Sequence, residues 1–320
     1  MTSEILKYLK EKEYISGELL AQKLGISRVA VWKQIQKIKK MGYRIASEKN
    51  LGYCLISRPD ILLPQEIQNN LPTSYIGKNI YYFPELESTN IMAKEKALLG
   101  AKKINEGTVI IAEEQSAGKG RLGRKWFSPR GGIWLSIILF PQLLPSYIPR
   151  ITLMTAVVLV KAIEICTQIK AQIKWPNDIL VNEKKICGIL TEMNAELDLI
   201  NWVVVGVGIN VNIDYQNFPR DIQEKTTSLK EIEKKEISRV RLVQVFFKEF
   251  EKYYEILKNK EFSFILREWK IYSHTLGKKI NVDMGDQIIS GEAVDINEIG
   301  ALILKKESGK LIEIISGTVI

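Results

Sequence analysis

Residues 117–126 read AGKGRLGRKW, and the reading of this stretch decides what the middle of the chain is. Gly118, Gly120 and Gly123 match the G-x-G-x-x-G spacing of a dinucleotide-binding turn, whose glycines must open directly into a helix. Here they lead into WFSPRGG and then IWLSIILF, an apolar run with the composition of a strand. The match is accidental, and no Gly-Lys is followed by Ser or Thr to make a Walker A loop. What remains is a flexible loop between two strands. It carries four cations, Lys119, Arg121, Arg124 and Lys125, and exposed backbone N–H groups suited to wrapping a polyanion such as a triphosphate. Trp126 at its end offers a face on which a base can stack. The alternative is a core Trp126 beneath cations that face DNA.

Outward from the loop, strands alternate with helices. TVIIAEEQ precedes it, YYFPELEST and a helix over 90–99 closed by Gly100 lie further upstream, and a long apolar helix over 151–169 follows. Then come AQIKW, DILVN, KICGILTEM and WVVVGVGINV, β-rich runs separated by turn residues. This predicts an α/β (α+β) domain with a mixed sheet dominated by hairpins. After a helical run over 240–268, KKINVDM, IISGEAVDI, ALILKK and LIEIISG, with turns at Gly285, Gly300 and Gly309, predict a small β-barrel. Residues 57–60, Ser-Arg-Pro-Asp, read as a linker, so the expected domains are 1–60, 61–270 and 271–320.

Three patches on this frame could carry chemistry. KWPND (174–178) leaves a strand into a tight turn with a cation, an amide and a carboxylate: Lys174, Asn177 and Asp178. There Asp178 could help hold a metal-bound nucleotide or an incoming amine. In KKICGIL (184–190), Lys185 heads an apolar strand that would aim an ammonium into a pocket. In GVGIN (206–210), two glycines let backbone approach a ligand and Asn210 offers a polar end. Ser88, Thr89 and Asn90 begin a helix, whose hydroxyls and free N–H groups could bind a small polar head group. Singly, each is also an ordinary turn, core strand or N-cap.

The net charge of +9 is concentrated at the N-terminus: residues 1–60 hold 12 Lys and Arg against 6 Asp and Glu, or +6, which leaves +3 for the other 260 residues. Ile5, Leu6 and Leu9 recur at helical spacing over residues 3–12. Ser16 caps a second helix carrying Leu19, Leu20 and Leu24, and Gly25 ends it. Ser27 caps a third, whose face Val31, Ile35 and Ile38 is apolar while Val29, Lys33, Gln36, Lys37 and Lys40 point away, with Gly42 as its cap. YRIASEKNLGYCLI then makes two strands around a turn at 49–52. This is a winged helix-turn-helix, whose second member enters the major groove. Arg28, Lys33 and Gln36 are placed to reach bases and Lys37 and Lys40 to touch phosphates; Ser27 and Val29 complete the candidate set.

Three widely spaced cysteines fit neither a disulfide framework nor a zinc pattern and read as buried thiols. The single histidine, His274, reads as structural and removes His-rich metal sites. The longest apolar run, 151–160, is stopped by Lys161, and the first ten residues lack a signal peptide's pattern, so a cytoplasmic protein without membrane contact is expected.

Taken together, the winged helix, ESTN (87–90), Gln115 with GKGRLGRKW, KWPND, KKICGIL and GVGIN, in that order, resemble the family of bifunctional biotin protein ligases and biotin operon repressors, over essentially the whole chain. The basic glycine loop followed by KWPND is the specific part. The resemblance implies a biotin/lipoate-ligase type of central domain, a C-terminal SH3-like barrel, and ATP, biotin and Mg2+ as the small molecules. Biotinyl-5′-AMP forms first, and biotin then passes to a lysine of a biotin carboxyl carrier protein. It implies that Ser88, Thr89, Asn90, Gln115, Lys119, Gly120, Arg121 and Lys185 hold biotin. Arg121, Arg124, Lys125, Trp126, Lys174, Asn177 and Asn210 would hold the nucleotide, with Lys185, Arg121 and Asp178 catalytic. It further implies a homodimer, formed when the adenylate is bound, on a palindromic operator. The family loop usually has arginine where Lys119 stands, and lysine cannot make the same bidentate fork. Two rivals are a sensor without turnover and a lipoate-type acyl ligase. Lipoate ligases lack the loop followed by KWPND.

Overall fold

The computed structural model describes residues 2–9, 13–197 and 199–320. The chain divides into two compact units, Met1–Ile61 and Leu62–Ile320.

The smaller unit contains α1 (Thr2–Tyr8), α2 (Gly17–Leu24), α3 (Arg28–Lys40), β1 (Arg44–Glu48) and β2 (Gly52–Ser57). Both caps read from the sequence form: Ser16 Oγ accepts from Leu19 N at 3.1 Å and Ser27 Oγ from Ala30 N at 3.2 Å. Each satisfies an amide left over at a helix start. Gly25 closes α2 in the left-handed region, which a glycine adopts without steric penalty. Ile5, Leu20, Val31, Ile35 and Ile38 are fully buried and form the small core. Of the leucines the second helix carries, Leu20 is buried, with Ala21 beside it, and Leu19 is exposed. The first helix ends at Tyr8, and Lys12, its expected end, lies outside the described residues. Met41 is the cap residue of α3, with Gly42 following it at φ 93°. β1 and β2 pair antiparallel as the wing. Gly52 turns it with φ 102°, where a Cβ would lie 2.1 Å from the Ile15 carbonyl.

The larger unit begins with α4 (Pro64–Gln68), β3 (Ile80–Phe83), α5 (Thr89–Ala97), β4 (Thr108–Ala112), β5 (Ile133–Leu139) and α6 (Ile148–Cys166). β6 (Gln172–Lys174), β7 (Asp178–Val181), β8 (Lys184–Glu196) and β9 (Leu199–Ile209) follow. The seven strands form one sheet in the order β3-β4-β5-β9-β8-β7-β6, antiparallel except for the parallel pair β3–β4. Every residue of the interior strand β5 is buried, which is why IWLSIIL reads as a continuous apolar run rather than an alternating one. After two short helices, α7 (Arg220–Gln223) and α8 (Leu229–Glu233), α9 (Arg239–Lys258) packs against α6, and α10 (Phe262–Ile271) lies against both. One helical run was expected over 240–268. It breaks at residues 259–261, where Lys260 takes φ 64°. β10 (Lys279–Asp283), β11 (Ile288–Ile296), β12 (Leu302–Lys305), β13 (Leu311–Ile314) and β14 (Thr318–Val319) form a second, antiparallel sheet in the order β13-β12-β11-β10-β14. Cys54 and Cys187 are buried and free; Cys166, expected to be buried, is only half-buried because α6 ends there. No described helix is long and apolar enough to cross a membrane.

Candidate functional site

Every candidate residue from the central part of the sequence, Ser88 to Asn210, lines one cavity above the middle of the seven-stranded sheet. The start of α5 supplies Ser88, Thr89 and Asn90, the basic loop supplies Lys119, Gly120, Arg121, Arg124, Lys125 and Trp126, and the β6–β7 turn supplies Lys174, Asn177 and Asp178. Lys185, Gln115 and Asn210 complete the set. Six of the lining side chains are cations and one, Asp178, is a carboxylate.

One end of the cavity is a polar network. Thr89 donates from its N and Oγ1 to Gln115 Oε1 at 2.7 and 3.1 Å, and Gln115 Nε2 donates to Ser128 Oγ at 2.8 Å. Gln115 is held there because it pairs with Ser128 immediately after the loop. Asn90 donates from Nδ2 to Glu192 Oε2 at 2.7 Å, and its Oδ1 accepts from Ser136 Oγ at 2.6 Å. Both ends of its amide are thus held by protein, and Asn90 shapes this end of the cavity from below. Gly206 makes the arrangement possible: a Cβ there would lie 2.1 Å from Asn90 Oδ1. Ser88, the N-cap of α5, makes no side-chain capping bond, and its residue is buried at the cavity wall.

The other end is cationic. The loop folds on itself, with Gly120 N donating to Arg124 O at 2.8 Å and Trp126 N to Gly118 O at 2.9 Å. Those amides, expected to be exposed, are therefore used within the loop. Arg121 Nη1 donates to Asn177 Oδ1 at 3.0 Å and to the Gly317 carbonyl at 3.2 Å, and Arg124 Nη2 donates to Thr318 Oγ1 at 3.3 Å. Burial lowers the pKa of the Arg121 guanidinium, an effect that nearby Asp178 opposes. Burial lowers that of Lys174 as well, again against Asp178. Lys185 Nζ lies 2.6 Å from Asp178 Oδ1 and 4.9 Å from the centre of the Trp126 ring. Asn210, almost fully buried, donates from Nδ2 to Thr227 O at 3.1 Å and so fixes the far wall.

Trp126 rests on the sheet itself. A Cβ at Gly208 would fall 2.5 Å from Trp126 Nε1, and one at Gly188 would fall 2.9 Å from its ring. The glycines of GVGIN, read as room for a ligand to approach backbone, therefore receive the side chains of Asn90 and Trp126. Residues the sequence did not single out also line the cavity: Phe218 and Ile222 from the segment before α8, and Thr318 and Val319 from the last strand. Only tertiary structure brings these in, and no local pattern marks them. His274 stands outside the lining and contacts Glu183 Oε1 at 2.7 Å. No group of three or more His, Cys, Asp and Glu able to hold a metal occurs among the described residues.

Three family models match the chain in order: an HTH domain over residues 2–54, the biotin/lipoate A/B protein ligase family over 82–210, and the biotin protein ligase C terminal domain over 275–320. With the sheet and its cation-lined cavity, they define a biotin/lipoate-type protein ligase fold preceded by a helix-turn-helix domain. The chain belongs to the family of the bifunctional ligase/repressor BirA. It is 38% identical to the Bacillus subtilis (strain 168) protein of that name over 298 residues, covering 93% of this chain and 91% of the relative. It is 27% identical to the Escherichia coli (strain K12) one, covering 95% and 92%. A solved biotin protein ligase from Aquifex aeolicus, in complex with biotin and ATP, is 30% identical, with a TM-score of 0.66 over 76% of this chain and 98% of that one.

Proposed function

We propose that this chain is an ATP-dependent biotin protein ligase that also represses transcription when its own reaction intermediate is bound. The observation that carries the ligase reading is the cavity's lining: six cations against one carboxylate, with a hydrogen-bonded polar network at the opposite end. A triphosphate needs the first, and an uncharged, hydrogen-bonding head group suits the second.

In the reaction, a carboxylate oxygen of biotin attacks the α-phosphorus of ATP. The bond from that phosphorus to the bridging oxygen of the β-phosphate breaks, and pyrophosphate leaves. The acceptor lysine's amine then attacks the carbonyl of the resulting mixed anhydride, releasing AMP. Thr89, Gln115 and Ser88 orient biotin, and Asn90 fixes the wall beside them. Lys185 and Arg121 neutralise charge between carboxylate and phosphate, each leaving a protein partner, Asp178 or Asn177, for the substrate. Lys119 and Gly120 close over both substrates, Arg124, Lys125 and Lys174 hold phosphates, and Trp126, Asn177 and Asn210 bound the nucleotide. Magnesium supplies charge neutralisation on the triphosphate. Asp178, the single lining carboxylate, fits a metal that arrives on the nucleotide rather than one held in a site of its own.

Residues 1–60 are the DNA reader, 61–270 the catalytic domain and 271–320 the cap that completes the nucleotide end. The adenylate-bound form dimerises on a palindromic operator, and dimerisation tightens adenylate retention by the same factor that the adenylate favours the dimer. Such a protein works in the cytoplasm, where its carrier protein and operator are. The test is transfer: with Mg-ATP and biotin, an apo biotin carboxyl carrier protein gains one biotinyl group by mass spectrometry, and its variant lacking the acceptor lysine gains none. An unmodified carrier would sink the ligase reading.

A further inference from the structure

Two apolar side chains on α3 have no place in the core. Val29 is 64% exposed and Trp32 53% exposed, while the inner face of the same helix, Val31, Ile35 and Ile38, is fully buried. Both sit in the first two turns. The outward positions that follow are cationic: Lys33, Lys37 and Lys40 are all exposed. The helix is thus divided along its length, apolar near its N-terminal end and basic beyond it. The N-terminal end also opens on a cleft against the wing, lined by Arg28, Val29, Trp32, Lys49, Asn50 and Tyr53. Positive charge is diminished there, because Glu18 lies 3.7 Å from Arg28 and Glu48 stands at the same cleft, accepting from the Tyr14 hydroxyl at 2.5 Å.

Phosphates call for cations, and base edges in the major groove call for matched polar groups or, at thymine, an apolar contact with the 5-methyl group. In a helix-turn-helix it is the N-terminal part of the second helix that reaches the base edges. We propose that Trp32, with Val29 beside it, is a sequence-reading residue that selects thymine in each half-site by packing on the thymine methyl group. Lys37 and Lys40, further along the helix, supply backbone affinity without sequence preference. This rests on the DNA-reader reading above and adds the base that is read and the side chain that reads it.

The test uses the full-length protein with biotin and Mg-ATP on a pool of duplexes with a randomised central segment, selected and sequenced for wild type, Trp32→Ala and Trp32→Phe. Wild type enriches an inverted repeat with thymine at a fixed position of each half. Trp32→Ala loses the preference at that position and keeps the others, and Trp32→Phe retains it in part. On the wild-type motif, replacing that thymine by deoxyuracil removes only the methyl group. It weakens wild type about fourfold, the effect of one buried methyl, and Trp32→Ala hardly at all. The salt dependence of binding to a mixed-sequence duplex is the same in all three proteins. Because Trp32 is half in solvent, its replacement leaves the core untouched, which thermal melting checks.

Equal deoxyuracil penalties for wild type and Trp32→Ala would overturn the proposal, as would a motif without thymine. A changed oligomeric state with an unchanged motif would overturn it too, by making Trp32 a protein contact. If wild type enriches no motif at all, the DNA-reader reading itself fails.

Discussion

Replacing Lys185 with methionine keeps most of the side chain's length and removes its charge. In the structure this ammonium sits 2.6 Å from Asp178, over Trp126, and about a third of the side chain meets solvent. In the reaction proposed above, negative charge gathers within reach of it as the biotin carboxylate attacks phosphorus. One unit pair at about 4 Å and an effective dielectric near 20 is worth about 4 kcal/mol. Partial solvent screening, and the charge Asp178 already neutralises, reduce that to about 2 kcal/mol at the lower bound. The rate of biotinyl-AMP formation therefore falls between about 30-fold and 1000-fold at 1.4 kcal/mol per decade. The assay is single-turnover quench-flow with labelled ATP, with the dissociation constants of ATP and biotin measured separately. Lys185→Arg, which keeps the charge, retains most of the rate. A Lys185→Met enzyme that forms adenylate within threefold of wild type would refute the electrostatic role assigned to this residue.

Other expectations follow from equally specific contacts. Gly208→Ala places a Cβ 2.5 Å from Trp126 Nε1, so the ring must shift. Overpacking of this kind costs about 1–3 kcal/mol, seen as a lower Tm together with weakened nucleotide binding in calorimetry. Arg239 and Glu113 form a buried pair at 2.9 Å, with side chains 3% and 5% exposed. Arg239→Met strands the carboxylate and lowers unfolding free energy in urea by about 3–5 kcal/mol. Lys119→Arg retains activity and changes the affinity for biotin or ATP; unchanged values for both would mean the lysine at this position has no consequence. Lys37→Ala and Lys40→Ala each lower the slope of log affinity against log salt by about one on duplex DNA, measured by anisotropy.

Sequence reading succeeded where a signal was local. Ser16, Gly25 and Ser27 mark helix ends by hydrogen bonds made within four residues, and WFSPRGG excludes a helix after the glycine loop by composition alone. The candidate site was legible because its residues sit in short motifs, even though the fold collects them from positions 88 to 210. Three things were not legible. The glycines of GVGIN accommodate Asn90 and Trp126, side chains more than 80 residues earlier in the chain, so the reason for their small size lies in tertiary packing. The loop arginines meet Gly317 and Thr318, at the start of the last strand nearly 200 residues later, and nothing in ISGTVI marks it as a cavity wall. The break between α9 and α10 falls at Asn259, Lys260 and Glu261, without glycine or proline, because Phe262 must turn back to bury itself beside α6.

The measurement that bears most directly on the account is pyrophosphate release by the purified chain with Mg-ATP, with biotin, with lipoate and with neither. The account predicts a burst with biotin alone, stoichiometric with sites, and biotinyl-AMP left on the protein. No release with any acid, or equal release with lipoate, would contradict it.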